Sequence, residues 1–68
     1  MHQRDYDLAL FHFVKFRNII VQRSFSSDEK LSFCTGYLAA LTDWGIFTRD
    51  EFQKLVNQTQ IYIAGGEK

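Results

Sequence analysis

The sequence has no proline, a single cysteine, and no run of apolar residues near the length of a membrane span. A lone cysteine, Cys34, excludes an internal disulfide, is typical of a reducing compartment, and is expected to be a buried, inert thiol. His2 and His12 have no cysteine or histidine partner at ligand spacing, which argues against a structural metal. A membrane span needs about 20 apolar residues, and the polar, charged start is unlike a signal peptide. We therefore expect a cytoplasmic protein with no metal, cofactor or membrane association.

An excess of charge of one sign is also missing, because eight basic residues balance eight acidic ones. A neutral chain lacks the basic excess that binds phosphate backbones, so nucleic acid is an unexpected partner. Four basic residues face two acidic ones over residues 1–25, and four face six over residues 26–68. The two halves can therefore complement one another, within a monomer or across a dimer.

Catalytic patterns are missing as well. The sequence has no glycine-rich loop that would hold a phosphate, and no Ser/His/Asp or Cys/His pair at a diagnostic spacing. Asp5 and Asp7 precede an apolar segment, where negative charge at a helix N-terminus is the expected role. We predict that the protein is not an enzyme and has no catalytic residues.

What the chain does contain is a large share of apolar and aromatic residues. Of its 68 residues, 46% are hydrophobic and 16% are aromatic. A domain this short buries only about 60% of the surface of its unfolded chain, so its own core is marginal. Small domains without disulfides or metals gain stability by oligomerising. The composition therefore predicts a homodimer.

Apolar periodicity and the breaks between periodic segments predict a small all-α domain of three helices. The helices cover residues ~3–23, ~27–44 and ~49–63, in a single domain over residues 1–68 whose tail at residues 65–68 frays. By composition, residues 11–16 and 19–21 can also form strands, and residues 61–63 a short extended tail. The length of the first segment and its lack of turn residues favour a helix.

The first helix has an apolar arc of roughly 200°, about twice the width of the stripe on an ordinary surface helix. Burying such an arc requires neighbours on two sides, one from the same monomer and one from a second copy. Phe11 lies inside the narrow polar face and is the best candidate for an exposed anchor. Arg17 lies within the arc, where it can extend to solvent or pair with an acid from the second half or from another subunit. The arc comprises Tyr6, Leu8, Ala9, Leu10, Phe13, Val14, Phe16, Ile19, Ile20 and Val21.

The second helix begins with a capping box formed by Ser26 and Glu29. One side is apolar, and the opposite side is small and nearly uncharged. Gly36 in mid-helix costs about 1 kcal/mol relative to alanine, which is better tolerated if a neighbouring helix approaches closely. We therefore expect a central helix that is contacted on both faces. The small face comprises Ser32, Thr35, Gly36, Ala39, Thr42 and Asp43.

The joint between the second and third helices is the clearest local signal. Thr48 and Glu51 form a second capping box, and Phe47 and Phe52 occupy the two positions of a hydrophobic staple. Gly45 suits the left-handed residue that closes the preceding helix. These residues predict a capped helix–turn–helix joint at residues 44–49.

Residues 38–56 resemble the short C-terminal, or SHOCT-type, module. In that family a leucine-rich helix runs through an acidic residue and a glycine, then an apolar pair, a threonine and Glu-Phe, into a second helix. The resemblance covers roughly a quarter of the chain and lacks the Lys and the Leu pair that the family has late in its second helix; it implies an oligomerisation role. The chain is also similar in style to small helical proteins of prophages and plasmids. The matching residues are Leu38, Leu41, Asp43, Gly45, Ile46, Thr48, Glu51, Phe52 and Leu55.

These patterns predict a non-enzymatic protein-binding module, an adaptor or inhibitor of another cellular protein, that acts as a homo-oligomer. The alternative is a small DNA-binding regulator that uses the joint near Gly45, although Asp50 and Glu51 at the start of its recognition helix would repel phosphate. For Tyr37 and Trp44, core packing is the first expectation and an interface role the second. The predicted interface comprises Leu8, Phe11, Phe16, Arg17, Ile19, Gly36, Tyr37, Ala39 and Trp44.

Overall fold

A computed structural model describes the backbone of residues 3–66 and the side chains of residues 5–65. It contains three α-helices, α1 (Gln3–Val21), α2 (Ser27–Asp43) and α3 (Arg49–Gly66), and no strand within the described range. The all-α, three-helix prediction is confirmed. His2, the end of the chain and the side chain of Arg4 lie outside the described residues.

The helix boundaries differ most from the prediction at the end of α3. Residues 61–63 are helical, and the helix continues through Gly65 to Gly66 instead of ending at Ile63. Residues 65 and 66 thus belong to the helix, residues 67 and 68 are not described, and the fraying of this tail stays a prediction. α1 ends two residues earlier than predicted, at Val21, and the strand alternatives within it are excluded by its helical backbone.

Reciprocal hydrogen bonds start both α2 and α3. The Ser26 N–H donates to Glu29 Oε1 at 2.9 Å, and the Glu29 N–H donates to Ser26 Oγ at 3.2 Å. Thr48 and Glu51 repeat this pattern at 2.8 and 3.2 Å. Each pair satisfies two backbone N–H groups that would otherwise have no hydrogen-bond partner at the start of a helix. Both helix starts are therefore fixed by residues three apart in the sequence.

The end of α2 is closed by a left-handed glycine. Gly45 has φ of 81°. The Gly45 N–H donates to the Thr42 carbonyl at 3.0 Å, and the Ile46 N–H donates to the Leu41 carbonyl at 3.0 Å. This pair of bonds is the Schellman arrangement, which satisfies the last carbonyls of a helix. It turns the chain so that Phe47, only 2% exposed, enters the core.

α2 lies between the other two helices and packs against both. Tyr6, near the start of α1, packs edge-on against Phe47 with 5.4 Å between ring centroids, while Tyr62, near the end of α3, donates from its hydroxyl to Asn18 Oδ1 at 3.1 Å. α1 and α3 therefore run in the same direction, and α2 runs opposite to both. The buried apolar cluster at the centre contains Ala9, Phe13, Cys34, Leu38, Phe47 and Leu55.

The outer face of α2 was predicted to be covered by a neighbouring helix, but it is largely exposed. Ser32, Gly36 and Asp43 are exposed, whereas Ala39 is half-buried. A Cβ built at Gly36 would have no atom within 4 Å among the described residues. The close helix approach expected at Gly36 is therefore not found among the described residues, whose packing does not require a glycine at this position.

Candidate protein interface

Three large apolar side chains project from the outer face of α1. Leu8, Phe11 and Ile19 are 55%, 58% and 50% exposed. Together with Lys15 they follow one another at intervals of three or four residues, so all four share one side of the helix. We call Leu8, Phe11, Lys15 and Ile19 the outer α1 stripe. The sequence predicted the exposure of Phe11, but it assigned Leu8 and Ile19 to an apolar arc that the monomer leaves partly open.

Phe11 is held in place at the surface by its neighbours. The Lys15 ammonium lies 5.4 Å from the centroid of its ring, within the range of a cation–π interaction. The His12 ring approaches it edge-on, with 5.6 Å between centroids. An aromatic ring whose position is restricted in this way loses less conformational entropy when a partner covers it.

Phe16 and Tyr37 pair with each other inside the monomer. Their rings stack with 4.6 Å between centroids, and Tyr37 also lies 5.9 Å from Phe13. Both side chains are half-buried. The position of Tyr37 therefore agrees better with core packing, the first expectation, than with an interface role. On the other side of Tyr37, a shallow groove of about 260 Å³ runs between α1 and α2, with Leu8 and His12 on its α1 wall.

Trp44 is the most exposed of the large apolar side chains, at 83%. It caps the C-terminus of α2, where its N–H donates to the Ala40 carbonyl at 3.1 Å. Core packing, the first expectation for this residue, is therefore wrong. The reason is geometric: the Schellman turn that sends Phe47 inward leaves Trp44 at the outside of the bend.

Further exposed apolar residues escaped the sequence analysis. Phe25 and Phe33 are 38% and 45% exposed, with 5.1 Å between their ring centroids. They lie where the connection from α1 meets α2. Ile61 is 72% exposed on α3, on the polar side where periodicity alone places it. A signal for Phe25 was present, because it stands among serines at the break between two helices.

Arg17 contacts aromatic rings instead of an acid. Its guanidinium carbon lies 4.1 Å from the centroid of the Tyr62 ring and 6.0 Å from that of Phe13. Its Nε is buried and has no hydrogen-bond partner within the described part of the chain. Of the alternatives for Arg17, a pairing with an acid of the second half is not found among the described residues. The guanidinium instead makes a cation–π contact with α3, which periodicity within α1 could not reveal.

Cys34 lies in the core and is fully buried. Burial raises the pKa of its thiol above the ordinary value, and the positive charge of Arg17 offsets this only in part. A thiol with a raised pKa carries little thiolate at neutral pH, and the thiolate is the reactive form. This position agrees with the inert, buried thiol expected from the sequence.

Among residues 5–65, no group of three or more His, Cys, Asp or Glu side chains is placed to hold a metal ion. Over the described helices, none combines the length and the hydrophobicity needed to cross a bilayer. A scan against protein-family models finds no match, and neither curated proteins nor solved structures show a significant similarity to this chain.

Proposed function

We propose that this protein is a non-enzymatic, cytoplasmic protein-binding module, an adaptor or inhibitor of the kind that mobile elements encode, which works as a homodimer. The observation that carries the proposal is the exposure, by half or more, of Leu8, Phe11 and Ile19 on one face of a single helix. Large apolar side chains exposed together on one face, here with Lys15 between Phe11 and Ile19, favour an interaction surface.

The outer α1 stripe supplies the surface for self-association. From Leu8 to Ile19 it extends about 16 Å along the helix, at 1.5 Å per residue. A standard interface buries about 800 Å² on each partner, which is roughly a sixth of the 4947 Å² of accessible surface of this chain. A two-fold pairing of α1 with α1 brings the same stripe to both sides of the interface and covers it in both copies.

Trp44 is then available to contact the second partner, a different cellular protein. It lies at the bend after α2, outside the outer α1 stripe, and tryptophan is among the residues most enriched at binding hot spots. The cap hydrogen bond of its N–H fixes the backbone beneath the indole, so the ring is presented from a rigid turn. One protein can thereby hold its copy through α1 and a partner through the α2–α3 bend.

The alternative, a DNA-binding regulator, gains nothing from the geometry of α3. Asp50 is exposed in its first turn, and Glu51 uses its carboxylate to hold the Thr48 N–H. Both acids stand where a recognition helix would approach phosphates, and like charges repel. Retention on duplex DNA at low salt, lost steeply as salt rises, would support that alternative against the protein-binding proposal.

The experiment that tests self-association is light scattering after size exclusion, over a range of concentrations. The expected mass is about twice the 8.0 kDa of the chain. Phe11→Asp places a charge at the centre of the outer α1 stripe and is expected to weaken the dimer at least ~10-fold, which corresponds to about 1.4 kcal/mol. Circular dichroism of the variant shows whether its helices are retained.

Ser32→Asp is the matched control, because it introduces the same charge at an exposed position on the outer face of α2. It is expected to leave the mass unchanged. Dissociation by Ser32→Asp with no effect of Phe11→Asp would move the interface to α2 and contradict the assignment to α1. A monomer at every concentration would contradict the dimer altogether.

A further inference from the structure

A second groove, between α1 and α3, has a mixed apolar and cationic lining. α1 and α3 both pack on α2, and the space between them is about 450 Å³. This volume lies within the range of small-molecule sites, which are mostly apolar with a few placed polar groups. Its apolar wall is formed by Leu10, Phe13, Val14 and Leu55.

The charges of the groove are separated along its length. Glu51 lines the end near the start of α3, where its Oε1 already accepts the Thr48 N–H at 2.8 Å. Arg17 lines the other end, against Tyr62. Lys54 adds a second positive charge to the wall. The groove therefore presents an apolar middle and a cationic end, and its one acid is occupied by a helix cap.

Arg17 is the residue that gives this groove its chemistry. Its Nε is closed off from solvent and has no acceptor among the described residues. A buried donor without a partner is uncommon in folded proteins and has an identifiable reason in most cases. The planar guanidinium donates two parallel hydrogen bonds to a carboxylate, through Nε and a terminal nitrogen, which a lysine cannot do.

The Arg17 side chain is also held in position for such a ligand. Its guanidinium covers the ring of Tyr62, and the Tyr62 hydroxyl is tied to Asn18, one residue along α1 from Arg17 itself. The Leu10-to-Arg17 segment extends about 10 Å along α1, at 1.5 Å per residue, which leaves an apolar track beside the cation.

We propose that the α1–α3 groove binds a small amphipathic carboxylic acid, with its carboxylate on Arg17 and its hydrocarbon part along Leu10, Val14 and Leu55. The ligand supplies a carboxylate to the guanidinium of Arg17, a residue that lines the groove, and it fills the space between α1 and α3. This site is separate from the outer α1 stripe and does not depend on the dimer.

The test compares three probes that share one alkyl chain and differ in the head group: decanoate, decanol and decyltrimethylammonium, each below its micelle concentration. The full chain, labelled with ¹⁵N, is titrated and its amide shifts are followed. Decanoate is expected to bind at least ~10-fold more tightly than either other probe, because only its head group is an anion that can accept two charge-assisted hydrogen bonds from Arg17. The shifts are expected at Leu10, Val14, Arg17 and Leu55.

Variants check the role assigned to the guanidinium. Arg17→Met keeps an unbranched stem and removes every donor, and it is expected to lose the preference for decanoate over decanol. Arg17→Lys keeps the charge without the fork and is expected to retain only part of that preference. Arg23→Met, the matched control, removes an exposed guanidinium just after the end of α1, outside both the groove lining and the outer α1 stripe, and is expected to change nothing at this site.

Equal affinity of the wild-type protein for decanoate and decanol would overturn the proposal without any variant, so a folding defect of Arg17→Met cannot rescue it. Shifts confined to Leu8, Phe11 and Ile19 would also overturn it, because they would place the probe on the outer α1 stripe. Neither result would bear on the dimer, whose test is the solution mass.

Discussion

The guanidinium of Arg17 covers the ring of Tyr62, with 4.1 Å between its central carbon and the ring centroid. This contact joins α1 to α3, and the bond from the Tyr62 hydroxyl to Asn18 strengthens the same junction. An arginine that would be an unpaired charge in an isolated α1 thereby becomes part of the packing between helices.

Replacing Tyr62 should show what this junction contributes. Tyr62→Leu removes both the ring and the hydroxyl, and we expect the free energy of unfolding to fall by about 1–2 kcal/mol. Tyr62→Phe keeps the ring and loses only the bond to Asn18, so its loss should be smaller, about 0.5–1 kcal/mol. Urea unfolding followed by circular dichroism measures both. Equal losses for the two variants would mean that the contact between Arg17 and the ring contributes nothing.

Alanine substitutions at two glycines are expected to change the free energy of unfolding in opposite directions. Neither position has an atom within 4 Å of a new Cβ, so packing does not decide the outcome at either one. Gly45→Ala places a side chain at φ of 81°, and we expect a loss of about 1–2 kcal/mol. Gly36→Ala lies in mid-helix, and we expect a gain of up to ~1 kcal/mol.

Thermal unfolding of the two variants beside the wild type measures both stability changes in one experiment. A destabilised Gly36→Ala with a reduced solution mass would contradict the expectation and place a second copy against the outer face of α2. A neutral Gly45→Ala would show that the turn after α2 relaxes out of the left-handed conformation.

Cys34 should make stability fall at alkaline pH. Burial raises the pKa of its thiol in the folded chain above the ordinary value of 9.0, so the folded state keeps its proton to higher pH than the unfolded state does. The stabilisation is fully present below pH 9 and is lost as the pH rises toward the folded-state pKa. We expect the free energy of unfolding of the wild type to drop above pH 9 more steeply than that of Cys34→Ala.

The same burial can be checked by thiol modification. Labelling of Cys34 by iodoacetamide should be slow in buffer and fast in urea, because the thiol is 0% exposed in the folded chain. Rapid labelling without urea would show that the core opens around Cys34, and the pH argument would then fail with it.

Trp44 can report which surface is used for self-association. It is the one tryptophan of the chain and is 83% exposed, so acrylamide should quench its fluorescence strongly. If the dimer forms through α1, quenching should stay constant as concentration and mass rise together. A decrease in quenching on dimer formation would place Trp44 in the homodimer interface. The other protein would then have to bind a different surface.

The parts of this fold that follow from the sequence are those set by neighbouring residues. The capping boxes join Ser26 to Glu29 and Thr48 to Glu51, three residues apart, and the left-handed turn requires only Gly45. Such interactions are encoded by spacing alone, so the helix starts and the turn could be predicted. The end of α3 could not, because a pair of glycines gives no positive signal for a helix.

The candidate site depends on contacts between distant residues, and its prediction was correspondingly weaker. Phe11 was identified because it interrupts a polar face within one helix. The contact of Arg17 with Tyr62, the stacking of Phe16 on Tyr37 and the exposure of Trp44 depend on how helices are placed relative to one another. Periodicity gives the direction of a side chain from its own helix axis, but it does not specify what lies opposite.

The closed turn between α2 and α3 also has a consequence for the order in which the chain folds. Its hydrogen bonds lie within a short stretch, so this hairpin can form from local contacts, which are the fastest to be made. We expect α1 to dock onto this hairpin after it has formed, with its contact to α3 made last. In native-state hydrogen exchange, the amides of α1 beside the groove should open at lower free energy than those of α2, so α1 forms the first cooperative unit to detach.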